Sequence, residues 1–272
     1  MTQLWDPQQY QMFSGHRHRP FLELSARVGA SQPQIVVDLG CGSGELTAGL
    51  ARRWPGARVI GVDSSAQMLD QARRNDQGER VEWVRSDVQS WDPAQLGAPV
   101  DVIITNALLQ WVPSHRDLVP AWVGALAPGG WFAMGVPGNF NAPSHTLLRD
   151  AAARSPRAPE LLARVLGPQA VSEPAAYIAL LAGLGCDVDA WETTYQHILD
   201  PAGEQDEPVL EWTKATALLP VLEVLQDENE RADFLAEYGR ALRHAYPRQP
   251  FGTVFAFRRI FVVAHKNGKG QN

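Results

Sequence analysis

The chain has 272 residues, 45% of them hydrophobic, enough for one large domain or one domain with a substantial insertion, and its composition is neither fibrous nor disordered. A formal charge of −6 argues against general nucleic-acid binding, which draws affinity from a basic footprint on phosphates, so an anionic ligand has to be met by local cations. The two cysteines, Cys41 and Cys186, argue against a disulfide framework and suit a reducing cytoplasm, and the seven scattered histidines suggest no metal site.

In chain order, the opening "MTQLWDPQQYQMF" lacks the basic start and apolar core of a secretory signal. No apolar run approaches the roughly 18 residues a membrane span needs. Strands are predicted at "QIVVDLG", "ARVIGVD" (Ala57 to Asp63), "RVEWVRSD" (Arg80 to Asp87), "VDVIITN" (Val100 to Asn106) and "GWFAMGVP" (Gly130 to Pro137). Most are continuous apolar runs, as in a strand covered on both faces; the third alternates and belongs nearer an edge. Helices are predicted at about Glu45 to Trp54, Ala66 to Asn75 and Arg116 to Leu126, the last with Pro120 near its first turn and stopped by "APGG". Ser90 to Pro99 reads as loop. Such βα alternation implies a parallel sheet with ligands beyond the C-terminal strand ends. After the turn-rich "PGNFNAP" the rhythm changes to a mainly helical stretch reaching about Gly183. Two long strands follow, Cys186 to Leu199 and Gly252 to Lys266, with a helical block from Val209 to Ala245 between them and a polar tail after them.

The chemistry concentrates in "VVDLGCGSGELT", where Gly40, Gly42 and Gly44 recur at every second position. A dinucleotide loop reads G-x-G-x-x-G, and a P-loop needs Lys then Ser or Thr after its last glycine, where Glu45 and Leu46 stand instead. Asp38, two residues before the loop, would repel a pyrophosphate and attract an ammonium, which favours S-adenosylmethionine. Asp63, ending the second strand about 20 residues beyond the loop, can accept from both ribose hydroxyls. Asp87 can accept from the adenine amino group while the Val88 N–H meets a ring nitrogen; the plainer reading of Asp87 is a turn cap. Cys41 reads as a small loop residue.

With these residues placed, "VVDLGCGSGELT", "GVDSS", "SDV" and "TNALLQWV" resemble the successive motifs of class I S-adenosylmethionine-dependent methyltransferases. Within that family, "WDPQQYQMFSGHRHRP", "NALLQW", "EWTKATALLPVL" and "AFRRIFVVA" are similar to the trans-aconitate 2-methyltransferase branch, over about Trp5 to Lys266. The resemblance implies a single α/β domain over residues 1–272: a seven-stranded, mostly parallel Rossmann-like sheet with an antiparallel last strand. An N-terminal lid over 1–30 and a helical cap from insertions at 138–184 and 200–250 are expected with it. It further implies that Asp38, Gly40, Gly42, Asp63, Asp87 and Val88 line the cofactor, with Asn106 and Ala107 beside its methionine part. Two departures from the pattern are a long "LDPAGEQDEP" loop and Leu219 before Pro220, where an arginine is expected.

A small tricarboxylate substrate needs cations in an acidic protein. Arg17 and Arg19 in "GHRHRP", His197, and Arg259 in "FRRIF" are the candidates, because a guanidinium can hold a carboxylate through two parallel hydrogen bonds. Strand alternation sends Arg258 and Arg259 to opposite faces. Trp111 and Tyr195, and less so Tyr10 and Phe13, are candidate aromatic walls for a sulfonium. A carboxylate is already ionised at neutral pH, so no catalytic acid or base is nominated. An amine or phenol acceptor in the same fold remains the alternative, as does a cofactor-binding protein without turnover; neither nucleic acid nor membrane is an expected partner.

Overall fold

The computed structural model describes residues 14–268, with side chains from His18 onward. Its elements are α1 (Ser14–Ala26), β1 (Ile35–Leu39), α2 (Glu45–Arg53), β2 (Arg58–Asp63), α3 (Ala66–Asn75), β3 (Val81–Arg85), β4 (Val100–Asn106), α4 (His115–Gly124) and β5 (Leu126–Pro137). The second half adds α5 (Pro143–Arg154), α6 (Ala158–Leu162), α7 (Pro174–Gly183), β6 (Cys186–Leu199), α8 (Pro208–Lys214), α9 (Leu219–Leu222), α10 (Glu228–Ala245) and β7 (Thr253–Lys266). The seven strands form one sheet in the order β3-β2-β1-β4-β5-β7-β6. Strands β1 to β5 pair in parallel, and β7 runs antiparallel to both β5 and β6. The alternating β3 takes the edge, as its pattern predicts, because only one of its faces is well covered.

Both faces of the central strands are buried by helices, which is why those strands read as unbroken apolar runs. In β1, Ile35, Val37 and Leu39 join a core with Trp122 of α4 and Tyr177 of α7. Val36 points the other way, into a core with Phe21 and Leu24 of α1 and Leu50 of α2. So the described part of the expected lid segment carries side chains that pack on the sheet; its first residues, with Tyr10 and Phe13, lie outside the described residues. Among the described residues no helix is long and apolar enough to cross a membrane.

Two boundaries differ from expectation. Helix α4 starts at His115 and holds Pro120 in its interior, where the missing N–H forgoes one bond to the exposed Arg116. The "APGG" segment does not end that helix but opens β5: Val100 pairs with Leu126 while Val102 pairs with Trp131, so the extra residues form a bulge with Gly129 at φ 80°. Lys266, at the end of β7, reaches back to cap α4, its Nζ donating to the carbonyls of Val123, Gly124 and Leu126 at 2.7–3.0 Å.

The last strands also build the cap. Pairing of β5 with β7 stops at Pro137 and Arg259, but β6 and β7 stay paired to Leu199 and Thr253. Residues 253–258 therefore extend past the sheet as a two-stranded ribbon about 20 Å long at roughly 3.4 Å per residue. Phe255 and Phe257 on this ribbon enter a second core with Leu148 of α5, Trp212 of α8 and Tyr238 and Leu242 of α10. The cap thus rests on the ribbon, and Arg259 stands where the ribbon leaves the sheet.

Candidate functional site

The C-terminal ends of β1, β2 and β4 shape the first half of the site. Gly40, Gly42 and Gly44 all have positive φ (78°, 54° and 76°). A Cβ at Gly44 would lie 2.4 Å from the Trp83 ring and 2.6 Å from Ala72 Cβ, so this position is closed by the protein itself. A Cβ at Gly42 would meet nothing within 4 Å, leaving backbone open to a ligand. The Gly40 and Cys41 N–H groups both donate to Val62 O (2.8 and 3.1 Å). Asp63 completes the brace: Oδ2 accepts from Gly42 N at 2.9 Å and Oδ1 from Ser65 N at 2.8 Å. Each oxygen keeps a further lone pair for a hydroxyl. Burial raises the Asp63 pKa against the pull of those N–H groups.

Asp38 is only 3% exposed, and its Oδ2 accepts from Thr47 Oγ1 at 2.6 Å. Burial pushes its pKa up to about 7, the Thr47 hydrogen bond opposes the rise, and the charge of Asp63 adds to it. A buried carboxyl poised in this way is completed by a cation, so the donor set fits the ammonium of S-adenosylmethionine. Asp87 lies beyond the end of β3, exposed, with Oδ1 accepting from Gln89 N at 2.9 Å, which makes it a turn cap whose other oxygen is open to a ligand. Val88 is buried in the core beside it. At the end of β4, Asn106 Oδ1 is buried without a hydrogen-bond partner among the described residues. Ala107 holds φ 57°, an unusual backbone for a residue with a side chain, pinned by its N–H to Gly135 O (2.8 Å) and by Gln110 Nε2 donating to its carbonyl (2.6 Å).

Ala107 also lines the second half, a cavity of about 70 Å³ between the strand ends and the cap. That is several times the roughly 10–15 Å³ one water requires. Gln110 and Trp111 wall it after β4, Asn139 and Phe140 after β5, Trp212 and Thr213 from α8, and Phe255, Phe257 and Arg259 from β7. Arg259 is 6% exposed, its guanidinium 5.1 Å from the Phe257 ring centroid. Arg258 points the other way, to Gly138 O, Glu173 and Glu192. His145 of α5 also reaches the cavity; burial, helped by the charge of Arg149, pushes its pKa down to about 4, so it is neutral near pH 7.

The structure brings Trp111 and Arg259 to this cavity and leaves Arg19, Tyr195 and His197 outside its wall. Arg19 is exposed, paired with Glu23 at 2.7 Å and stacked 5.1 Å from the Tyr195 ring. Tyr195 donates its hydroxyl to Glu23 Oε2 at 2.6 Å and packs into the sheet core. His197 stacks on Trp212 at 5.1 Å and so stands behind the wall rather than on it. The Arg17 side chain lies outside the described residues. Leu219 opens α9 and is not part of the wall. Sequence reasoning missed Asn139, Gln110 and His145; for Asn139 the available signal was the turn-rich segment directly after a strand predicted to end at the ligand edge, and for Gln110 its place in "NALLQW".

Residues 36–130 match the methyltransferase domain family. Over 269 residues, covering 96% of this chain and 97% of the other, the protein is 48% identical to the trans-aconitate 2-methyltransferase of Streptomyces avermitilis. The chain belongs to the trans-aconitate 2-methyltransferase family. The trans-aconitate 2-methyltransferase of Rhodococcus jostii is 49% identical, with 96% of this chain and 99% of the other covered. The fold is also that of a Haemonchus contortus phosphoethanolamine N-methyltransferase solved with phosphomonomethylethanolamine and S-adenosylhomocysteine. The TM-score is 0.52 at 16% identity, with 92% of this chain and 52% of the other covered.

Proposed function

We propose that this protein transfers the methyl group of S-adenosylmethionine to one carboxylate of trans-aconitate, giving a monomethyl ester. Family membership supports the reaction, and the observation that carries the acid substrate is a buried arginine, Arg259, in the wall of an otherwise largely apolar capped cavity. When bound, the cofactor supplies a methyl group made electrophilic by its sulfonium. Asp38 would hold the ammonium, Asp63 the ribose hydroxyls, Asp87 and the Val88 N–H the adenine, with Gly40 and Gly42 giving backbone access and Asn106 and Ala107 bordering the methionine part.

The acceptor carboxylate is already ionised near pH 7 because its pKa is about 4, so the chain need not supply a base. Its work is placement. Arg259 anchors a carboxylate that is not methylated, Trp111 and Ala107 set the acceptor against the cofactor half, and the cap excludes water. Proximity of this kind can supply roughly 7 kcal/mol or more, and exclusion of water strengthens the attraction between a cationic donor and an anionic acceptor. His145, neutral by burial, adds no second cation at pH 7. The domain plan is one unit in which residues 138–170 and 200–250 form the cap, whereas α7 packs on the sheet through Tyr177 and Leu181, and the described part of the N-terminal segment does so through Phe21 and Leu24. Two free, buried cysteines support a cytoplasmic setting.

Incubation with methyl-labelled S-adenosylmethionine and a panel of di- and tricarboxylates, amines and phenols, followed by mass analysis, tests this reading. A labelled monomethyl ester of trans-aconitate is expected. Label on an amine or phenol with the acids untouched would overturn it.

A further inference from the structure

Resting on this acid substrate, we propose that Asn139 is a specificity-determining residue of the acceptor site, donating an amide N–H to a carboxylate of trans-aconitate other than the one that is methylated. Asn139 follows β5 and is 3% exposed, in the wall of the capped cavity. Both polar atoms of its amide are buried without a hydrogen-bond partner among the described residues. Whichever way the amide is turned, an unused N–H donor therefore remains. A buried donor left unpaired is a standing cost to the folded state, of the kind native proteins keep where a ligand completes the bond.

The charge balance says what that ligand group is. A tricarboxylate carries three negative charges; one carboxylate is the nucleophile, which leaves two to be held. On the described wall Arg259 provides a permanent cation, and His145 is uncharged near neutral pH. The other hydroxyl and amide donors of the described wall are engaged: Thr213 Oγ1 donates to Leu210 O at 2.9 Å, Thr216 Oγ1 to Trp212 O at 3.2 Å, and Gln110 Nε2 to Ala107 O at 2.6 Å. Asn139 thus offers the uncommitted amide for the second carboxylate. A neutral donor here holds an anion without burying another charge in the ligand-free cavity.

The test uses the full chain and compares wild type with Asn139→Ala, Asn139→Ser and Asn139→Asp. Each is assayed on trans-aconitate and on the dicarboxylates that lack its carboxylates one at a time. Asn139→Ala is expected to raise KM for trans-aconitate roughly 10- to 100-fold, the range for a buried hydrogen bond to a charged group. For the dicarboxylate lacking the contacted group, the same substitution is expected to change kcat/KM less than twofold. Asn139→Ser, which keeps a donor, recovers part of the loss, and Asn139→Asp, a like charge, shows the largest KM. The cofactor Kd stays within twofold. The ligand-free Tm of Asn139→Ala is unchanged or raised, because no internal bond is lost; a merely structural asparagine would lower it. The assignment is overturned by an unchanged KM, by equal losses on every acid, or by a fall in Tm together with lost cofactor binding. A wild type inactive on trans-aconitate refutes the proposed function and this assignment with it, whereas an active wild type with an unaffected Asn139→Ala refutes the assignment alone.

Discussion

Replacement of Asp38 by Asn removes one buried charge and keeps both the size of the side chain and an acceptor for Thr47 Oγ1. In the folded chain the Asp38 carboxyl holds its proton to about pH 7, against a value of 3.8 for the free side chain. Between these values the folded state binds more protons than the unfolded one. Stability from this group is therefore fully present below pH 3.8 and is lost as pH rises through about 7. Roughly three units correspond to an upper bound on the order of 4 kcal/mol. The amide introduced by Asp38→Asn does not titrate, so the variant and wild type are expected to converge in stability near pH 4. Above pH 7 the ligand-free variant should be the more stable, by an upper bound on the order of 10 °C in Tm. Cofactor binding moves the other way. An ionised Asp38 is needed to hold an ammonium, so the wild-type Kd for S-adenosylhomocysteine should weaken toward tenfold per unit as pH falls below 7. The variant should bind roughly 10- to 100-fold more weakly at pH 7.5 and lose that pH dependence. Thermal melts of both proteins from pH 4.5 to 8, with calorimetric titration of the cofactor product over the upper part of that range, measure both effects. A Tm difference that does not change with pH, together with equal cofactor affinity, would refute the reasoning.

Arg259→Ala should raise KM for the acid roughly 10- to 100-fold and leave cofactor affinity within twofold; steady-state kinetics with an unchanged KM would remove Arg259 from the site. Gly44→Ala forces a side chain into the left-handed region and against Trp83 and Ala72, and about 2–4 kcal/mol of lost stability is expected in denaturant unfolding. Tyr195→Phe removes the donor to Glu23 and should cost about 1 kcal/mol of stability with KM for the acid within twofold, because that hydroxyl is engaged away from the cavity wall. A tenfold rise in KM would instead bring Tyr195 into substrate binding.

The half of the site that depends on local order was legible in the chain. Asp38, the glycine loop and Asp63 lie within one βαβ stretch, and a strand that must turn sharply into a helix places such residues at the strand ends whatever the rest of the protein does. The edge position of β3 was readable for a similar reason, since burial of a single face leaves alternation in the sequence. The start of β5 was not, because "APGG" carries the same turn signal whether it ends a helix or opens a bulge, and only pairing with Val100 and Val102 decides between them.

By itself the sequence determined the parallel core, the long closing strands and the acidic residues of the glycine-loop half, since period-2 burial and turn chemistry are local and survive without partners. The sequence also pointed to Trp111 and Arg259, but that they share one wall of the capped cavity was decided by tertiary structure. That wall joins residues from after β4, after β5, from α8 and from β7, and nothing in a linear pattern states that the β6–β7 ribbon outruns β5 and lifts a cap over Arg259 and Asn139. Tyr195 and His197 are drawn away from that wall for the same reason: they sit one strand farther out, where Glu23 of α1 and Trp212 of α8 meet them first.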